Sequence, residues 1–342
     1  MWLWSIVGAN LGDMVLPDLI KSTLGIQFKN IKENICYISH NNQCKVCKYT
    51  LTNGNVMTTK YGNSVNEFAV KINTYKDLNN YYGVNEDLQW NALNEINYMT
   101  YLNAIDKDLF VQLYSWREMS QYKEIGLFME SCQGNSFDYH DYVQQNSYEY
   151  ITTLLHSVNV LHNHGIAHRD IKPSNIFICV HNGNRVFKLA DYEYCTQENY
   201  HDTFLGTIEY ASPENLQFAI PNFHNKHKWP LTKQEIIFEN RGYSYYVFPS
   251  DLYSIGATFG RLFGIMDIQT FKAINRQDPN RISSRFRCYH PIFNRQWTNG
   301  PSHIKNRLLL KQLIQRLTHC NPLERLTAYN AYMFYRNTYV VE

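Results

Sequence analysis

The sequence lacks an excess of charge of either sign: Lys and Arg number 32 against 30 Asp and Glu, a formal net charge of +2. No global field therefore argues for nucleic acid or an anionic membrane as the principal partner. It also lacks an apolar run that reads as a membrane span. The stretch Met1 to Val7 is apolar but short, has no basic flank, and is followed by Asp13, so neither a signal peptide nor a transmembrane helix is expected. The cysteines lack a framework. Eight are scattered along 342 residues, whereas disulfide scaffolds belong to short secreted chains, so reduced thiols in an intracellular setting, cytoplasmic or nuclear, are expected. Cys36, Cys44 and Cys47 include one C-x-x-C step, but the second pair that a structural zinc site needs is missing. There is no internal repeat. The 27 tyrosines point to no particular chemistry.

What is present is 44% hydrophobic content, enough for a sizeable core. Residues 30 to 75 alternate apolar and polar positions around turn signals such as Thr52-Asn53-Gly54-Asn55, which predicts antiparallel strands and hairpins. From Asp87 to Asn103, Leu88, Leu93, Ile96, Met99 and Leu102 recur at helical spacing. Strands are expected at Leu109 to Trp116 and Glu124 to Glu130. Helices are expected at Tyr139 to His164 and, largely buried, at Ser250 to Gly264. The stretch from about Asn215 to Tyr246 has no clear period and reads as an insertion.

The densest cluster of chemistry is His168-Arg169-Asp170-Ile171-Lys172-Pro173-Ser174-Asn175, between a helical run and the apolar strand Ile176-Phe177-Ile178. Other sets accompany it in order: Phe68-Ala69-Val70-Lys71, Asn94-Glu95-Ile96, Asp191-Tyr192-Glu193, Gly206-Thr207 through Ser212-Pro213-Glu214, Ser250-Asp251 through Gly256, and Asn321-Pro322 through Arg325. Together they resemble the signature of the eukaryotic-type serine/threonine protein kinases over about residues 35 to 335, as a divergent member. The resemblance implies an α+β, two-lobed fold: a small antiparallel β-sheet lobe with one key helix, and a larger, mainly helical lobe. The corresponding boundaries are an N-terminal extension at 1–27, the smaller lobe at 28–131 and the larger at 132–342 with the insertion at about 215–246.

By the same resemblance, Asp170 accepts or orients the substrate hydroxyl, Lys172 steadies the transferring phosphate, and Asn175 and Asp191 hold magnesium, with manganese as an alternative. Lys71 reaches the α- and β-phosphates of ATP and is paired by Glu95. Thr207 contacts Asp170 and Lys172, which with Lys172 itself favours serine/threonine acceptors in a protein substrate. Val46, Ala69, Met129, Phe177 and the backbones of Glu130 and Cys132 are expected around the adenine. A column of Met99, Leu113, Tyr192 and His168 links the lobes in the family. Asp251 braces the catalytic loop, and Arg325 pairs with Glu214.

Two departures are visible. No G-x-G-x-x-G precedes Lys71; either Ile38 to Lys48 stands in its place, with Lys45-Val46-Cys47-Lys48 as the next strand, or Gly54 lies in the loop, with Met57 and Thr59 after it. Glu193 replaces the glycine of Asp-Phe-Gly, adding negative charge beside the metal position. These leave a pseudokinase, a nucleotide-binding or scaffold module, as the alternative to an active enzyme. A small-molecule kinase of the aminoglycoside or choline type is disfavoured, since it would not carry Lys172, Thr207 and Ser212-Pro213-Glu214. Thr203 stands where the family is phosphorylated, with Arg169 as receptor. Ser136 and Ser174 stand where basophilic relatives carry carboxylates, so no requirement for arginine upstream of the target is expected. A basic stretch from Arg276 to Arg307 reads as a solvated face.

Overall fold

Alternating side chains that bury every second position make strands of several segments between residues 31 and 130. In the computed structural model, which describes residues 31–38, 44–52, 56–58, 64–74, 84–119, 124–181, 183–201, 204–212, 214–215, 245–266, 306–319 and 321–339, β1 (Ile31–Ile38) and β2 (Cys44–Leu51) form an antiparallel pair. On β2, Cys47, Tyr49 and Leu51 are buried while Val46, Lys48 and Thr50 are partly exposed. A two-residue pair, β3 (Met57–Thr58) with β4 (Ser64–Val65), separates β2 from β5 (Glu67–Thr74). With β6 (Leu113–Met119) and β7 (Glu124–Glu130) the sheet has the order β1-β2-β5-β7-β6. This order matches the first of the two alignments for the loop before Lys71: β2 pairs directly with β5, setting Val46 opposite Lys71, whereas Met57–Thr58 pairs with β4. Residues 39–43 lie outside the described residues.

The helix expected at Asp87 to Asn103 is α1 (Val84–Ile105). It buries Ala92, Glu95, Ile96, Met99, Leu102 and Asn103, a helical stripe that carries one carboxylate. Asn103 fastens the helix to the segment leading into β6, donating to Val111 O at 3.1 Å and accepting from Leu113 N at 2.7 Å. The strand expected from Leu109 begins at Leu113 instead, because the Asp106 carboxylate accepts from the backbones of Asp108 and Leu109 and holds them in a turn.

The chain divides into two compact units, Met1–Gln133 with Cys179–Val186, and Gly134–Ile178 with Phe187–Glu342. β8 (Gly134–Asn135), in the second unit, pairs with the start of β9 (Ile176–His181), and β9 lies beside β10 (Asn184–Leu189), the stretch Cys179–Val186 of these two strands belonging to the first unit. The long helix expected at Tyr139 to His164 is two, α2 (His140–Gln145) and α3 (Ser147–Asn163), because Asn146 leaves helical geometry at φ −109° and ψ 36°. A short pair, β11 (Tyr200–His201) with β12 (Tyr245–Tyr246), precedes α4 (Val247–Leu262), the buried helix. The helices α5 (Arg307–Leu317) and α6 (Ala328–Thr338) come after it. Gly256 of α4 admits the close approach of α5: a Cβ there would lie 2.6 Å from the Thr318 methyl. Most of the expected insertion and of the basic stretch lies outside the described residues.

The expectation of reduced thiols is corrected by a disulfide between Cys132 and Cys179, 47 positions apart, inside the first unit. The antiparallel register that sets Gly134 opposite Ile178 brings the two cysteines side by side, which no sequence spacing reveals. Cys47 is disulfide-bonded as well, whereas Cys195 is a buried thiol. A cross-link closing a loop of that length stabilises by about 2–4 kcal/mol, chiefly through the unfolded chain. Cys179→Ala is therefore expected to lower the chemical-denaturation stability of the oxidised protein by that amount and to leave that of the reduced protein nearly unchanged. Among the described residues no helix is long and apolar enough to cross a membrane.

Candidate active site

In the first unit the central strands carry the expected nucleotide residues in register. Val46 lies opposite Lys71, Ala69 opposite Met129, and Phe68 opposite Glu130. The Lys71 ammonium donates to both oxygens of Glu95, at 2.9 and 2.8 Å, with side-chain exposures of 12% and 3%. A carboxylate on the buried stripe of α1 needs such a partner, since an unpaired charge there would be strongly penalised. Met99 and Leu113 of the expected column are fully buried in this unit. At the end of β7, Glu130 N donates to Gln112 O at 2.9 Å, and Gln112 N donates back to the Glu130 carboxylate at 3.1 Å. Burial, and then the charge of Glu130, push the Tyr114 phenol above its usual range. Ligand atoms of Glu130, Cys132 and Cys179 lie within 4.8 Å of one another, but the two sulfurs are bonded together and offer no thiolate to a metal. Lys48 was missed by sequence reasoning: its ammonium donates to Cys132 O and, at 3.2 Å, to Gln133 O.

In the second unit the contiguous motif folds back on itself. Thr207 donates its hydroxyl to one Asp170 oxygen at 2.8 Å, while Lys172 and Asn175 donate to the other at 2.5 and 3.2 Å. Lys172 also reaches Thr207 Oγ1 at 2.8 Å, and Asn175 Nδ2 reaches Asp170 O at 3.0 Å. Burial works against the Lys172 ammonium, yet the charges of Asp170, Asp191 and Glu193 and the bond to Asp170 hold its pKa above the ordinary lysine value. Lys172 therefore stays a cation at neutral pH. Burial, and then Glu193, Asp170 and Asp191, push the Tyr194 phenol up, so the glutamate standing for glycine adds its charge to the same cluster.

Backbone geometry there is unusual. Arg169 and Asp191 both adopt φ 70°, a left-handed conformation that non-glycine residues seldom take and that clusters at functional positions. Asp251 holds the loop by accepting from His168 N and Arg169 N, each at 2.8 Å, and lies 3.0 Å from His162 Nε2. Asp170 N donates to His168 Nδ1 at 3.3 Å, which assigns the proton to Nε2, 3.0 Å from Ala190 O. The His168 and Tyr192 rings lie 5.5 Å apart, and the Tyr192 hydroxyl, absent from the family's phenylalanine, donates to Leu189 O. Phe177 is half-buried on β9, opposite Asn135.

The supporting residues are in place too. Arg325 forms a bidentate pair with Glu214 and donates to Pro249 O at 2.9 Å and His319 O at 2.7 Å. Ser136 is fully buried and donates to Ile176 O at 2.9 Å, so its hydroxyl is part of the core rather than of a peptide-facing surface. Thr203 lies outside the described residues. Gly206 is a second feature that sequence reasoning did not single out. At φ +99°, a Cβ on it would lie 2.4 Å from Arg169 O and 3.3 Å from Asp170 Oδ1.

Comparison with known proteins places the chain in a family. A family model described as protein kinase domain matches residues 52–334. Over 79 residues, 22% of this chain and 15% of the relative, the chain is 39% identical to serine/threonine-protein kinase grp of Drosophila melanogaster. It is 32% identical over 124 residues, 36% of this chain and 31% of the relative, to the probable serine/threonine-protein kinase FMP48 of Saccharomyces cerevisiae. To the cyclin-dependent kinase 4 homolog of Caenorhabditis elegans it is 30% identical over 151 residues, 39% of this chain and 35% of the relative. The matched stretches thus span about a third or less of these relatives' lengths. With its antiparallel sheet, its helical unit and a family match across most of its length, the chain belongs to the protein kinase family.

Proposed function

We propose that this protein is an active serine/threonine protein kinase, transferring the γ-phosphate of ATP to hydroxyls of a protein substrate. The observation that carries the reading is the closed set of bonds among Asp170, Lys172 and Thr207, which ties the segment ahead of Glu214 to the catalytic loop. In this reading Asp170 orients the acceptor hydroxyl and takes its proton as the oxygen bonds to phosphorus and the bond to the leaving ADP breaks. Lys172, kept cationic by its neighbours, stabilises charge on the transferring phosphoryl oxygens. Lys71, oriented by Glu95, contacts the α- and β-phosphates. Val46, Ala69 and Met129, neighbours on the sheet of the first unit, line the adenine in this reading, and the backbones of Glu130 and Cys132 bond its edge.

A divalent ion fits the remaining donors. Asn175 turns its amide nitrogen to Asp170, so its amide oxygen is the atom a hard cation would take, together with the Asp191 carboxylate. Such an ion, magnesium or in its place manganese, supplies charge neutralisation on the phosphates.

The test is incorporation of labelled phosphate from ATP into generic proteins and into peptides with Ser, Thr or Tyr acceptors, with Mg²⁺ or Mn²⁺. Transfer to Ser and Thr peptides is expected. Protein that ATP stabilises thermally but that transfers nothing with either metal is a pseudokinase, the reading favoured by the missing glycines ahead of Lys71 and by the insertion at about 215–246. Transfer confined to Tyr would overturn the acceptor class.

Gly206 supplies a sharper check. Alanine there would press its methyl on the Arg169 carbonyl, a backbone atom that cannot swing aside, and would be strained at positive φ. Displacing Thr207 from Asp170 by about 1 Å is expected to lower kcat about 100-fold, since misplacements of that order have such effects. Steady-state kinetics on Gly206→Ala measures it, and a kcat within twofold of wild type would mean that the segment tolerates the shift.

A further inference from the structure

We infer that Cys132 and Cys179 form a redox site that sets nucleotide affinity: the disulfide holds the adenine-binding backbone ready, and its reduction weakens ATP binding. The inference rests on the reading that the Cys132 backbone bonds the adenine edge. The chain leaves the first unit after Gln133 and re-enters it at Cys179, so the bond ties the exit of one connecting segment to the return of another.

Cys132 is then held from three directions. Its sulfur is bonded to Cys179, its carbonyl accepts from Lys48, and Glu130 just upstream is fixed in register opposite Phe68. A backbone donor already in its binding conformation spares the nucleotide the cost of ordering it. Opening the disulfide leaves the Cys132 backbone with the Lys48 contact, the strand before it and the Gly134 pairing after it, and removes the covalent tie to Cys179 that acts on the residue itself. The effect falls on binding rather than on the phosphoryl-transfer step, because Asp170, Lys172 and Thr207 lie in the other unit and are positioned by bonds to one another.

The chemistry balances with a glutathione-type disulfide as oxidant. The two protein thiols give up two protons and two electrons in forming the Sγ–Sγ bond, and the oxidant is reduced to two thiols. Cys132 is 4% exposed and Cys179 fully buried, and a Glu130 carboxylate oxygen lies within 4.8 Å of both sulfurs. Burial limits the access of any attacking thiol to either sulfur, which slows exchange in both directions. The site therefore behaves as a latch that keeps its state rather than as a fast-cycling pair.

The experiment compares full-length protein treated with oxidised glutathione and with a phosphine reductant, the state of each thiol being read by alkylation and mass spectrometry. Calorimetry with Mg-ATP and the KM for ATP are measured on both forms. Expected are a Kd and a KM about 10-fold lower in the oxidised form, kcat unchanged, and a Cys179→Ala protein that matches reduced wild type under both treatments. Cys179→Ser serves if the alanine variant fails to fold, and the wild-type comparison needs no variant. Equal Kd in the two forms overturns the inference, as does a Cys179→Ala protein that still responds to oxidant. Redox-dependent Kd without any phosphate transfer sustains the inference and refutes the active-kinase reading. Transfer with a redox-independent KM does the reverse, and absence of ATP binding in both forms refutes both.

Discussion

Asp170→Asn is expected to lower kcat by about 1,000-fold or more while leaving the melting temperature within a few degrees of wild type. The reason lies in how the carboxylate is surrounded. One oxygen accepts from Thr207, and the other accepts from Lys172 and Asn175, so donors face both sides. An asparagine keeps its oxygen toward Lys172 and Asn175, because two donors there would meet an amide nitrogen unfavourably. Its nitrogen then faces Thr207, whose hydroxyl can rotate to accept. Packing survives this exchange, but the group that takes the acceptor proton is gone. Lys71→Ala and Asp191→Asn are expected to lose comparable activity by a different route, through positioning and charge on the phosphates. Phosphate incorporation, with a thermal melt on the same preparation, separates the cases. Undiminished transfer by all three variants would overturn the kinase reading of the site.

The loss arises from contacts that are mostly local in sequence, and that locality decides how much could be read beforehand. His168 to Asn175 is contiguous, so the elements of its chemistry stand side by side in the chain, and Asp170, Lys172 and Asn175 do bond one another. Glu95 was less legible. A glutamate on a helix is ordinarily solvated, and only the ordered companion motifs marked it as the partner of Lys71 across 24 positions. Of two alignments of the loop ahead of Lys71, the strand order agrees with the one that residue types favoured rather than the one that spacing favoured.

What stayed hidden depends on register or on single backbone contacts. Cys132 and Cys179 meet because of a strand pairing, Lys48 meets Cys132 O across 84 positions, and Gly206 packs on a carbonyl of a loop well before it. None of these leaves a periodic or spaced trace. Asn146, which splits the long helix, and Asp106, which delays a strand, act through local polar competition that an apolar pattern does not register.

Arg325→Met is expected to destabilise the protein by about 3–5 kcal/mol, because it strands a carboxylate that the fold has withdrawn from water. The Arg325 side chain is 0% exposed and that of Glu214 15%. Besides the two-pronged bond to Glu214, the guanidinium satisfies the carbonyls of Pro249 and His319 and lies 5.1 Å over the Tyr253 ring. Methionine supplies volume but no donor, so Glu214 and the two carbonyls lose their partner together. The double variant Glu214→Leu with Arg325→Met removes the stranded charge as well and is expected to recover part of the loss, the remainder belonging to Pro249 and His319. A coupling of about 1–3 kcal/mol in that cycle, measured by chemical denaturation, is the signature of a buried pair. Additive single effects, or an Arg325→Met cost below about 1 kcal/mol, would mean that water reaches the site and screens it. The same variants should lower kcat at temperatures where they remain folded, because Glu214 anchors the end of the segment that carries Gly206 and Thr207 to the catalytic loop.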